Sequence, residues 1–130
     1  MSKPEEIEEL YNALTNSNAI PFPEKRKPII APTEQGVYII FDPHNKPLHV
    51  GRTNSAKGGL KQRLQNHLSN NSSFSNKYLI QEKGLSGDIL REDHKFRFIV
   101  EPDSKKRAYL EALTAGKLCP AYIGTGVKVI

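Results

Sequence analysis

The chain has 130 residues, 37% of them hydrophobic and 25% charged, with a single cysteine. That is the size and composition of one globular domain with its own core. Cys119 has no partner, so an intrachain disulfide is excluded, which fits a reducing, cytoplasmic setting. No apolar run approaches the length of a bilayer span, and the acidic N-terminus does not read as a signal peptide. No membrane partner is therefore expected. The formal net charge is +5; residues 1–10 hold Glu5, Glu6, Glu8 and Glu9 against Lys3, a net −3, so the other residues carry +8. Between Asp42 and Glu82 there is no carboxylate, while Lys46, Arg52, Lys57, Lys61, Arg63 and Lys77 all fall there. Such a stretch fits a phosphate-backbone footprint, and equally the solvated surface of a basic protein.

In chain order, Ile7, Leu10, Tyr11 and Leu14 follow helical spacing and predict a helix over 3–15, with Ser2 and Glu5 placed as a capping box. Pro21, Pro23, Pro28 and Pro32 make 16–35 an extended connector. Residues 36–41 are β-formers, 42–45 a turn and 46–50 a second strand ended by Gly51, together an antiparallel hairpin. Asn54 to Gly59 is a loop, and Leu60, Leu64 and Leu68 mark a helix of about ten residues. Residues 69–76 read as a mobile Ser/Asn loop and 77–83 as a short helix, whereas 84–93 gives no clear pattern. Phe96, Phe98 and Val100 alternate in a strand over 95–101. Asp103 or Ser104 caps a helix running to about Leu118, and 127–130 offers a last short strand. This order is α+β, a small sheet with helices packed on it. The expected organisation is an N-terminal helix and Pro-rich connector over 1–34 and one compact unit over 35–130.

Arg63 and His67 stand four apart, flanking the apolar stripe of their helix. Arg63 offers a planar fork matched to a phosphate, and His67 a donor or acceptor. On pattern alone, a surface arginine and a boundary histidine is the simpler reading. Glu111 is the only charged residue between Arg107 and Lys117. A carboxylate among apolar residues is costly to bury unless paired or bound to a cation. It fits a solvent-facing position or a bridge to Arg107 as readily as a Mg²⁺ site. Lys105-Lys106-Arg107 begins a helix, where the dipole disfavours cations and an outside anion would help, although a solvated face is the simpler reading.

Taken in order, Gly36-Val37-Tyr38, then His49-Val50-Gly51-Arg52-Thr53, then Leu60-x-x-Arg63-Leu64-x-x-His67, then Glu111 in a late helix, resembles the GIY-YIG nuclease domain over roughly 35–123. The resemblance implies a small three-stranded mixed or antiparallel sheet flanked by helices, and metal-dependent endonuclease cleavage of a nucleic-acid phosphodiester, DNA or RNA. It makes Tyr38 a general base or water-orienting group, and sets His49 where the second tripeptide usually begins with tyrosine. Arg63 corresponds to the arginine facing the scissile phosphate, His67 to the polar residue one turn later, and Glu111 to the carboxylate holding one Mg²⁺ or Mn²⁺. Ile123 stands after Pro120-Ala121-Tyr122, where the family often carries asparagine. Physically, Arg52, Arg63 and a metal would lower the tyrosine pKa from about 10, and a neutral His49 would share proton removal. Arg52, Asn54, Lys57 and Lys61 are the expected nucleic-acid contacts. The departures at His49 and Ile123 motivate a second reading, a catalytically weak nucleic-acid-binding module that keeps the fold. A third is an interaction domain whose first helix docks a partner. The small size suggests a monomer or weak homodimer.

Overall fold

The computed structural model describes residues 3–55, 57–69, 72, 74, 87–123 and 127–128. The helices are α1 (Lys3–Thr15), α2 (Gly59–Leu68) and α3 (Ser104–Leu118). The strands are β1 (Ile20–Pro21), β2 (Gly36–Phe41), β3 (Pro47–Arg52), β4 (Lys95–Val100), β5 (Tyr122–Ile123) and β6 (Val127–Lys128). They form one mixed sheet in the order β1-β4-β2-β3-β5-β6. The three six-residue strands β4, β2 and β3 are antiparallel and make its centre, whereas β5 joins β3 in parallel. The expected three-stranded sheet is thus the core of a six-stranded one, extended by two-residue strands of which only β6, within the short strand expected over 127–130, has a sequence signal.

β2 is paired on both sides and buried along its length, which its run of β-branched and aromatic residues suits. Successive side chains alternate between two cores. Tyr38 and Ile40 pack with Leu60, Leu64 and Leu68 of α2, while Val37 and Ile39 pack with Ile7 and Leu14 of α1 and Leu110 of α3. The sheet therefore lies between α2 on one face and α1 with α3 on the other. Lys106–Glu6 at 3.4 Å and Lys117–Glu8 at 2.9 Å join α1 to α3.

Two elements differ from their sequence reading. The Pro-rich connector contains β1, whose Ile20 and Pro21 pair with Phe96 and Lys95. Pro21 is tolerated because β1 lies at the sheet edge. The second strand starts at Pro47 and continues through Gly51 to Arg52 rather than ending at Gly51. Residues 87–91, without a pattern in sequence, form a 3₁₀ turn. Asp103 caps α3 as expected, its carboxylate accepting from the Lys106 amide at 3.1 Å. Ser2, the helix expected over 77–83 and Gly124-Thr125-Gly126 lie outside the described residues, as does most of the loop over 69–76. Of that loop, Ser72 and Phe74 are described, and both are buried.

Candidate active site

The alternation of β2 sends Tyr38 toward α2, where its ring is fully buried. Arg63 of α2 donates through Nε to the Tyr38 hydroxyl at 3.2 Å. One helical turn later, His67 Nε2 lies 2.7 Å from the same oxygen. His49, on the neighbouring strand, places its Nε2 at 3.4 Å. The other His67 nitrogen, Nδ1, hydrogen-bonds the Ser72 hydroxyl at 2.7 Å. Phe74 closes the cluster: its ring stacks on His49 at 4.6 Å and meets His67 edge-on at 5.2 Å. Gly51 is the register partner of Tyr38 and leaves room for its hydroxyl.

Burial dominates the electrostatics of this cluster. It pushes the Tyr38 phenol up to about 12, although the adjacent Arg63 pulls the other way. Of the cations expected to bring Tyr38 toward neutrality, Arg63 acts in that direction, but alone it is outweighed by desolvation. Burial, with Arg63 as the second cause, drives His49 down to about 3. His67 is held well below its ordinary value by burial, then by His49 and Arg63. His49 is neutral at pH 7, as expected, but this makes it a weak proton acceptor rather than a strong one.

Glu111 belongs to the other layer. Val50 faces α1 and α3, so Arg52, two residues on, faces them too. There Arg52 Nη1 lies 3.7 Å from the Glu111 carboxylate. The bridge to Arg107 considered from sequence does not form. Arg107 is buried and donates instead to the carbonyls of Thr53, Glu101 and Pro102 and to the Ser55 hydroxyl. No outside anion is needed to explain that cation. Burial raises the Glu111 pKa, while Arg52 and then Arg63 lower it. The Glu111 charge in turn acts on Tyr38, so the two layers meet electrostatically where β3 ends.

Beside Arg63, a cavity of about 110 Å³ is lined by Thr53, Asn54, Lys57, Gly59, Gln62 and Asn66. An adjoining one of about 160 Å³ is lined by Thr33, Gly58, Lys61, Gln62 and Gln65. Neither lining contains a carboxylate among the described residues. Among those residues Arg63 hydrogen-bonds through Nε alone, and its side chain helps line the first of these cavities. Among the described residues no group of three or more His, Cys, Asp or Glu could hold a metal. One carboxylate completed by water and phosphate oxygens is nevertheless a donor set that suits a hard divalent cation, and Glu111 fits it.

Of the residues singled out from sequence, Tyr38, His49, Arg63 and His67 are in direct contact, Glu111 and Arg52 form an adjoining pair, and Asn54 and Lys57 share the cavity beside Arg63. Lys61 lies in the neighbouring cavity. Sequence reading missed Ser72, Phe74 and the packing role of Gly51. Only Gly51 had a usable signal, a glycine inside a strand, which marks close approach of another group.

A mixed sheet covered on both faces, with a tyrosine, an arginine and two histidines joined on one of them, defines the class as an α+β domain with a polar cluster at the sheet face. The GIY-YIG catalytic domain family matches residues 34–120, and the chain belongs to that family. It is a nuclease-family domain, with nucleic acid as its class of partner. No curated protein and no solved structure matches the chain. Among the described residues no helix is long and apolar enough to cross a membrane.

Proposed function

We propose that the chain is a divalent-cation-dependent endonuclease that hydrolyses DNA phosphodiesters. The observation that carries this reading is the bond from Arg63 Nε to Tyr38, which fixes the guanidinium at a cavity whose described lining holds no carboxylate. A fixed guanidinium fork matches two phosphate oxygens and neutralises the charge that grows there. Asn54 and Lys57 supply further donors along the same cavity. Glu111 would hold Mg²⁺ or Mn²⁺, with Arg52 swinging from the carboxylate toward the nucleic acid. A cation held there would polarise phosphate oxygens and offset the small upward push of Glu111 on Tyr38. Tyr38 itself is a neutral phenol that anchors Arg63.

The test is nicking of supercoiled plasmid with Mg²⁺ or Mn²⁺ against EDTA. Arg63→Ala should cost roughly 10²–10³ in rate. Glu111→Gln should abolish cation-dependent cutting while the protein stays folded. Unchanged turnover by the glutamine variant removes Glu111 from the mechanism.

The full burial of Tyr38 and the weak basicity of His49 favour one other reading, a nucleic-acid-binding module with feeble catalysis. Salt-dependent binding without cation-dependent cutting of duplex, branched or single-stranded substrates would establish it.

A further inference from the structure

Tyr38 has one phenolic proton and three polar neighbours. Arg63 Nε carries hydrogen at every accessible pH and so occupies one lone pair of the hydroxyl oxygen. The phenolic proton then points to His67 Nε2, at 2.7 Å, or to His49 Nε2, at 3.4 Å. The choice depends on His67. That ring is fully buried and neutral, so one of its nitrogens donates and the other accepts. Its Nδ1 meets the Ser72 hydroxyl, itself buried, at 2.7 Å.

We propose that Ser72 is a positioning residue: its oxygen accepts the Nδ1 hydrogen of His67, which leaves Nε2 as an acceptor and turns the Tyr38 proton toward α2. Both His67 contacts are 2.7 Å, and it is the 3.4 Å separation of His49 that favours this arrangement over its reverse. A phenol is a strong neutral donor and an imidazole nitrogen a strong neutral acceptor, and their pairing suits the 2.7 Å contact. In the reverse arrangement His67 would donate to Tyr38, and the phenolic proton would fall on the 3.4 Å contact. With its proton on His67, Tyr38 keeps one lone pair for Arg63 and one for an incoming donor. Ser72 thus sets the relay in which a water proton taken up at that lone pair is matched by transfer of the phenolic proton to His67 Nε2, without touching water or phosphate itself. The consequence for cleavage rests on the nuclease reading above; the proton arrangement belongs to the free protein.

Two measurements separate these levels. Long-range ¹H–¹⁵N spectra of ¹⁵N-histidine-labelled protein should show His67 protonated at Nδ1 and bare at Nε2. Ser72→Ala should mix the two tautomers, and Ser72→Thr, which keeps the hydroxyl, should restore the first. In plasmid nicking with Mg²⁺, Ser72→Ala should lower kcat about tenfold, the effect of one aligned hydrogen bond, with KM unchanged and recovery in the threonine variant. A wild-type His67 protonated at Nε2 overturns the proposal. So does a Ser72→Ala protein whose His67 tautomer is unaltered, whatever its turnover, or one whose kcat equals that of the wild type. A wild-type chain that cuts no DNA sinks the nuclease reading instead, and the spectra still decide the part played by Ser72.

Discussion

The Tyr38 hydroxyl occupies the space that Gly51 leaves open across the β2–β3 pairing: a Cβ built on Gly51 would fall 2.4 Å from that oxygen and 3.1 Å from His49 Nε2. The constraint is one of volume, because Gly51 sits within a regular strand. Gly51→Ala should therefore displace Tyr38 from Arg63 and His67 together. Overpacking of this kind costs about 1–3 kcal/mol, readable as a lower urea midpoint. Cleavage should fall further than stability alone accounts for, since the guanidinium loses its anchor. An alanine variant with native stability and turnover would show that the hydroxyl is not confined there.

The buried histidines predict acid sensitivity. His49 has a folded pKa of about 3 against 6.5 in its ordinary state, so the unfolded chain binds the proton first as pH falls. The advantage of the neutral ring is complete above pH 6.5 and is lost progressively between 6.5 and 3. At pH 5, His49 alone should remove about 2 kcal/mol of stability relative to pH 7. His67 shifts in the same direction and adds to the loss. On the alkaline side, Tyr38 stabilises the fold fully below pH 10, and that contribution disappears as pH rises from 10 toward 12. Urea unfolding at pH 5, 7 and 9 measures the acid limb, and His49→Gln should flatten it. Equal stability of the wild type at pH 5 and 7 would contradict the burial of both rings.

The legibility of the sequence followed the length and periodicity of its elements. The six-residue strands β2 and β4 and the helices α1, α2 and α3 showed themselves because each spans at least one full period of an apolar pattern. The strands β1 and β5 have two residues each, shorter than any alternation, whereas β6 falls in the Val/Ile-rich tail expected as a strand. The site divides in the same way. Arg63 and His67 are related by a single helical turn and could be paired from spacing. Ser72 and Phe74 reach His67 and His49 from a Ser/Asn-rich stretch with no periodicity, so only coordinates reveal them. The basic triplet at the start of α3 misled because its members separate: Lys105 is exposed, Lys106 meets Glu6, and Arg107 turns inward.

Arg107 makes the next prediction. Its guanidinium ties the Thr53 carbonyl and the Ser55 hydroxyl, at the end of β3, to the Glu101 and Pro102 carbonyls before α3. This holds the segment carrying Asn54 against the helix carrying Glu111. Arg107→Met fills a similar volume but leaves those oxygens without their donor, at a cost of about 2–4 kcal/mol. Ser55→Ala removes one partner only and should cost about 1 kcal/mol. Denaturant titration distinguishes them. A methionine variant as stable as the wild type would mean that water replaces the arginine at no cost.

The cations beside Arg63 should act through charge alone. Lys57 lines the cavity next to Arg63, and Lys61 the one beyond Gln62. A lysine that neutralises a phosphate releases a condensed counterion, so each lost contact reduces the salt slope of duplex binding by about 0.9. Lys57→Ala and Lys61→Ala should each weaken binding evenly across unrelated sequences and flatten the plot of log K against log salt by about that amount. Lys3→Ala is the control, because Lys3 lies against Tyr109 on the α1–α3 side of the sheet. Should the Lys3 variant flatten the plot as much as the other two, the phosphate path would not run along α2.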